Sequence, residues 1–216
     1  MTMIGNAFLK ICGITRLEDA QRAANLGADF LGFILYSKSP RYLPPEAYRA
    51  LSINLPAGPK RVAVLVEPGA DELQAIRALG FERFQIHARP EVGLEIVASW
   101  SAIVGPGALW LAPKLPPGIE FPGAWLDYAN SFLVDTYHPE GFGGSGRTGD
   151  WTGFAHLAAA HPDKTWILAG GLTPENIRAA RAQSGAHFVD VNSGVETRPG
   201  VKAPLKLDAL VAALRD

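Results

Sequence analysis

The chain holds one cysteine in 216 residues, Cys12. A single thiol excludes an internal disulfide and any multi-cysteine zinc site, and it fits a reducing cytoplasm. Neither sign of charge dominates: 20 Lys and Arg stand against 21 Asp and Glu. With no basic excess to release counterions from a polyanion, nucleic acid is not expected as the main partner. No apolar run approaches the ~18 residues of a membrane-spanning helix. The opening Met1–Lys10 lacks a charged stretch leading into an apolar one, so no secretory signal is expected. Low-complexity segments and runs of like charge are missing too, and the Pro/Gly-rich Pro113–Pro122 is too short to be a domain linker. One domain over residues 1–216 is expected.

What the chain does have is apolar content, 48% against 19% charged, enough for a sizeable core. Its 23 Gly and 17 Pro approach a fifth of all residues, above the average of about 12%, which implies many short connections. Apolar runs of strand length recur at Phe8–Cys12, Asp29–Leu35, Arg61–Val66, Arg83–His87, Leu109–Lys114, Phe132–Thr136, Thr165–Ala169 and His187–Asn192. Most are continuous rather than alternating, the mark of strands covered on both faces in a parallel sheet. Amphipathic stretches of helical length fall between them: Leu17–Leu26, Pro44–Leu51, Asp71–Leu79, Val92–Ser99, the short Gly123–Ala129, Pro174–Gln183 after Thr173, and Leu205–Leu214. Eight strand–helix units of about 27 residues each predict an α/β fold, a closed single-domain (β/α)8 barrel with short loops.

In such a barrel the chemistry sits at the C-terminal ends of the strands. Cys12 ends strand 1, Arg41 lies just past strand 2, His87 ends strand 4 and Asp135 ends strand 6. Gly170 and Gly171 follow strand 7, and Asn192, Ser193 and Gly194 end strand 8. Glycine-containing loops after the last two strands are where this fold offers backbone N–H groups to a phosphate. Asp135 interrupts an apolar strand at its exit, and a carboxylate there without a role is costly. Cys12 is either a small core residue or a reactive thiol. Arg41 is either a solvated loop residue or a planar fork for a carboxylate. Gly141–Thr148, GFGGSGRT, lacks the Lys of a Walker A loop and the following acid of a dinucleotide site; it is either a mobile lid after strand 6 or a loose surface loop. Lys10 shares parity with Cys12, and Asp190 with Asn192. Strands 1 and 8 are neighbours in a closed barrel, so a buried Lys10–Asp190 ion pair beneath the site is predicted.

Particular motifs resemble those of the phosphoribosylanthranilate isomerase family. They are Lys10–Ile11–Cys12–Gly13–Ile14–Thr15, Ser39–Pro40–Arg41–Tyr42, Gly143–Gly144–Ser145–Gly146–Arg147–Thr148, Leu168–Ala169–Gly170–Gly171–Leu172 and Val189–Asp190–Val191–Asn192–Ser193–Gly194–Val195–Glu196. The resemblance runs from Leu9 to about Leu207. It departs around His87–Ala88–Arg89–Pro90–Glu91, where the family usually has His-Gly-Asp-Glu, on strand 5, and at Asn192, where Ser is usual. It implies an Amadori rearrangement in tryptophan biosynthesis. Asp135 acts as acid and Cys12 as base, Arg41 holds a carboxylate, and Gly170, Gly171, Asn192, Ser193 and Gly194 hold a phosphate. No metal or other cofactor is implied, and the partners are the substrate and at most a second copy of the chain. Two rivals stand beside it: another phosphosugar barrel enzyme, and a phosphate-binding barrel without turnover. Cys12, with no paired carboxylates or metal-binding histidines visible at strand ends, weighs against the first; Cys12 with Asp135 weighs against the second.

Overall fold

The computed structural model describes residues 4–116, 119–135 and 150–215; the candidate lid at 141–148 lies outside them. Eight strands are β1 (Phe8–Ile11), β2 (Phe30–Ile34), β3 (Lys60–Val66), β4 (Arg83–Ala88), β5 (Leu109–Pro113), β6 (Ser131–Val134), β7 (Thr165–Leu168) and β8 (Phe188–Val191). They pair in parallel, each with the next, and β8 returns to β1 to close the barrel. Around them run α1 (Leu17–Asn25), α2 (Pro45–Ser52), α3 (Ala70–Arg77), α4 (Leu94–Val104), α5 (Trp151–Ala160), α6 (Ile177–Ser184) and α7 (Pro204–Arg215). A small antiparallel hairpin, β9 (Glu196–Arg198) with β10 (Val201–Lys202), follows β8. No described helix is long and apolar enough to cross a membrane.

Closure splits the apolar residues into two cores, because alternate side chains of each strand face in and out. The outer core joins the strands to the helices, through residues such as Leu9, Ile11, Leu31, Phe33, Val189 and Val191. The inner one fills the lumen with Phe30, Val62, Val64, Trp110, Leu133, Ile167 and Phe188. Phe30 stacks on Phe188 at 5.0 Å, and Trp110 meets both edge-on at 5.1 and 5.4 Å. Phe188 precedes Asp190 by one inward position, so this aromatic layer forms the floor under the polar layer above it.

The helices depart from expectation at four places, one being α4, which runs over Leu94–Val104 instead of Val92–Ser99. Gly123–Ala129, expected as the fifth helix, is a single 3-10 turn over Gly123–Asp127, too short to pay out four hydrogen bonds of its own. α5 was not among the expected helices; Asp150 caps it by accepting the Gly153 N–H at 2.8 Å. α6 starts at Ile177 rather than Pro174. The Asn176 side chain accepts the Thr173 N–H at 2.8 Å and donates to the Gly171 carbonyl at 2.8 Å, so the intervening turn braces the loop after β7 instead of extending the helix.

Candidate functional site

A cavity of about 350 Å³ opens at the C-terminal ends of the strands. Of the residues singled out in the sequence, Cys12, Arg41, Asp135, Gly170, Gly171, Asn192, Ser193 and Gly194 line it. Tyr36, Gln85, His87 and Asp190 join them in the wall. Cys12 directly follows β1 and Asp135 directly follows β6, so thiol and carboxyl enter the cavity from separate sides of the ring.

Beneath Cys12 lies the predicted ion pair. Lys10 and Asp190 face each other in the β1–β8 register, and Lys10 Nζ donates to Asp190 Oδ2 at 2.8 Å. Lys10 is 0% exposed and Asp190 8%. The Lys10 ammonium also neighbours the Cys12 thiol, both lying within 3.0 Å of where a Cβ on Gly32 would stand. Burial pushes the Cys12 thiol up, and Asp190 adds to this, while the neighbouring Lys10 ammonium pulls it down; the balance lies above the ordinary value. Gly32 on β2 faces this pair. A Cβ there would come within 2.9 Å of Cys12 Sγ and 3.0 Å of Lys10 Nζ. Gly32→Ala is therefore expected to cost roughly 1–3 kcal/mol of stability and to displace the thiol. Urea unfolding together with kcat checks this, and an alanine variant matching wild type in both contradicts it.

The motif Ser39–Tyr42 folds over the end of β2. Tyr42 bridges back to Ile34, and Ser39 Oγ accepts the Arg41 N–H at 3.1 Å, which aims Arg41 over the cavity. One edge of its fork is taken. Nε meets Glu196 Oε1 and Oε2 at 3.0 Å each, and Nη2 meets Oε2 at 2.7 Å. Lys202 Nζ holds the same carboxylate at 2.9 Å and the Asn192 side-chain oxygen at 3.0 Å. Two cations keep the Glu196 carboxyl below its usual range despite burial. Glu196 and Lys202 were not among the sequence candidates. The only local signal is an acid and a base flanking the Arg198–Pro199–Gly200 turn, and nothing local says that their partners are Arg41 and Asn192.

Gly170 and Gly171 have φ of 88° and 63°, left-handed values that a side chain would disfavour. The loop after β8 begins at Asn192 and makes one short turn, Ser193–Val195. The two loops touch: a Cβ on Gly194 would sit 2.0 Å from the Leu172 carbonyl oxygen. Small residues thus let two backbone segments converge on one rim of the cavity, leaving room for a group with several acceptor oxygens.

β4 contributes Gln85 and His87, whose side-chain nitrogens lie 2.7 Å apart. The alternation Arg83–Phe84–Gln85–Ile86–His87 is the sequence signal that puts both side chains on the inward face. Loss of solvent, helped by the Lys10 charge, lowers the His87 pKa to about 4. It is a neutral polar group at neutral pH. An unfolded His titrates near 6.5, so the folded chain binds fewer protons between those values. Stability contributed by neutral His87, at most roughly 3 kcal/mol, is present above about pH 6.5 and lost as pH falls towards about 4. Urea midpoints across pH 4–7 are expected to fall more steeply on acidification in the wild type than in His87→Gln; equal slopes contradict this.

The comparisons with known proteins agree with one another. The family model described as N-(5'phosphoribosyl)anthranilate (PRA) isomerase matches residues 9–213. A relative named N-(5'-phosphoribosyl)anthranilate isomerase from Gloeothece citriformis is 36% identical over 197 residues, 90% of this chain and 87% of the relative. The phosphoribosyl anthranilate isomerase of Thermotoga maritima superposes with a TM-score of 0.77 at 32% identity, covering 97% of this chain and 98% of its own; it is described elsewhere as dimeric. A third structure, at TM-score 0.73 and 29% identity over 97% of this chain and 98% of its own, is a phosphoribosyl anthranilate isomerase in complex with reduced 1-(o-carboxyphenylamino)-1-deoxyribulose 5-phosphate.

Proposed function

Because this chain belongs to the N-(5'-phosphoribosyl)anthranilate isomerase family, we propose that Cys12 and Asp135 are its base and acid. The reaction is the Amadori rearrangement of phosphoribosylanthranilate to 1-(2-carboxyphenylamino)-1-deoxyribulose 5-phosphate in tryptophan biosynthesis. It needs one proton delivered to a ring oxygen and another removed from the adjacent carbon framework. The observation that carries the assignment is that Cys12 and Asp135 end strands β1 and β6 and share one cavity. Asp135 protonates the furanose oxygen and the ring opens to a Schiff base. Cys12 then removes the C2 proton, and the resulting enolamine tautomerises to the ketone.

The two ends of the substrate have matching ends in the cavity. The phosphate goes to the rim built by Gly170, Gly171, Asn192, Ser193 and Gly194, where glycine backbone approaches closely. The anthranilate carboxylate goes to Arg41. Glu196 occupies the Nε–Nη2 edge of the guanidinium, so the edge between Nη1 and Nη2 is left for the substrate. A relative's complex with a ligand bearing both a carboxylate and a phosphate supports a site that takes both groups. The partners proposed are this substrate and at most a second copy of the chain; the single cysteine supports a cytoplasmic location.

Growth without tryptophan of an auxotroph lacking the isomerase step tests the activity. Soluble expression without growth goes against it. Arg41→Lys keeps the charge but loses the fork, so KM is expected to rise more than kcat falls. An unchanged KM moves the carboxylate to another residue.

A further inference from the structure

A general base has to shed its proton. In an apolar wall made by Phe30, Val62, Leu133 and Ile167 the neutral thiol is the favoured form of Cys12. Beside the sulfur stands an ammonium with no route to solvent. Lys10 is fully buried, two residues before Cys12 on the same face of β1. A lone ammonium in the lumen is expensive, and Asp190 answers it with one oxygen, Oδ2 at 2.8 Å. The other oxygen, Oδ1, is buried without a hydrogen-bond partner among the described residues. An ammonium carries three N–H donors, so holding Asp190 leaves others for the sulfur. The space that lets sulfur and ammonium meet is made by Gly32, whose missing side chain would collide with both.

We propose that Lys10 is a positioning residue of the reaction: held by Asp190 and accommodated by Gly32, its ammonium stabilises the Cys12 thiolate and fixes the sulfur at the cavity wall. The proposal rests on Cys12 being the base. A pair serving stability alone has no need to stand against the chain's single thiol, and an apolar pair usually replaces it at little cost. Other charged or titratable groups face Cys12 or the same cavity. Lys202 approaches from β10, and its ammonium is already held by Glu196 and Asn192. Arg41, from the β2–α2 connection, is held by Glu196. His87 on β4 is neutral, and Asp135 enters from β6. Lys10 is the cation that shares the space at Gly32 with the sulfur, and its charge acts on the thiol more strongly than that of Lys202.

Because Cys12 is the only cysteine, thiolate absorbance near 240 nm, with Cys12→Ser as blank, titrates it alone. The rate of alkylation by iodoacetamide gives a second reading. An opposite charge at this range moves a titration by about 1–3 pH units. Lys10→Met is expected to raise the Cys12 midpoint by at least about one unit, slowing alkylation at neutral pH about tenfold. Asp190→Asn is expected to lower it, because the ammonium is then unopposed. Lys10→Met combined with Asp190→Asn strands no charge, so it folds where the single variant fails, and it is expected to titrate high. Circular dichroism confirms folding in each case. An unmoved midpoint in a folded variant lacking Lys10, or an upward shift in Asp190→Asn, overturns the proposal. The kcat–pH profile separates it from its premise. If the thiol midpoint moves while the ascending limb of kcat stays put, Lys10 governs the thiol and Cys12 is not the base.

Discussion

Cys12→Ser is expected to lower kcat by about 10²–10⁴-fold and to leave KM within a few-fold of the wild type. Serine has nearly the same shape, so the cavity and its phosphate rim stay as they are. The chemical difference is that a hydroxyl does not ionise anywhere near neutral pH. With burial holding the thiol above its ordinary value, wild-type kcat is expected to climb with pH through the neutral range as thiolate accumulates. That rise is expected to disappear in the serine variant. Steady-state kinetics with phosphoribosylanthranilate between pH 6 and 9 measures both quantities. A serine variant with near-wild-type kcat removes Cys12 from the mechanism.

Asp135→Asn is expected to lose a similar factor in kcat, about 10²–10⁴, for a different reason. The amide keeps the size of the carboxyl at the end of β6 and cannot deliver a proton to the ring oxygen. The two lesions therefore slow different steps, and isotopic substitution tells them apart. With deuterium at C2, a variant limited by proton removal shows a full primary isotope effect on kcat, the expectation for Cys12→Ser. A variant limited by ring opening shows one close to unity, the expectation for Asp135→Asn. The same isotope effect in both, or near-wild-type kcat in Asp135→Asn, dismantles the division of labour between acid and base.

Much of this site could be read before folding was considered. Strand ends follow from apolar runs, and the working groups of a parallel barrel stand at those ends, so Cys12, Asp135 and the late glycine loops were placed correctly by position along the chain. Arg41 was placed in the cavity too, but not its engagement. Half of its fork is bound to Glu196, 155 residues away, and that carboxylate is shared with Lys202. The Gly123–Ala129 segment has a composition that suits a helix start, yet it folds as a 3-10 helix over Gly123–Asp127. Asp150 and Trp151 went unread as a helix start because the segment before them offered glycines instead of periodicity.

The sequence by itself determined which residues face inward, because strand parity repeats every two residues and needs no knowledge of the rest of the chain. That is why Lys10 and Asp190, 180 residues apart, were paired correctly once β1 and β8 were made neighbours by closure. The tertiary structure alone decided how those inward groups meet. It placed Lys10 against the sulfur as well as the carboxylate, made Gly32 the vacancy that permits this, and folded the β9–β10 hairpin back so that Glu196 and Lys202 reach Arg41 and Asn192. Contacts of that kind depend on the curvature of the closed sheet and on where loops cross its mouth. Both arise from the packing of all eight units together, and no local pattern of residues encodes them.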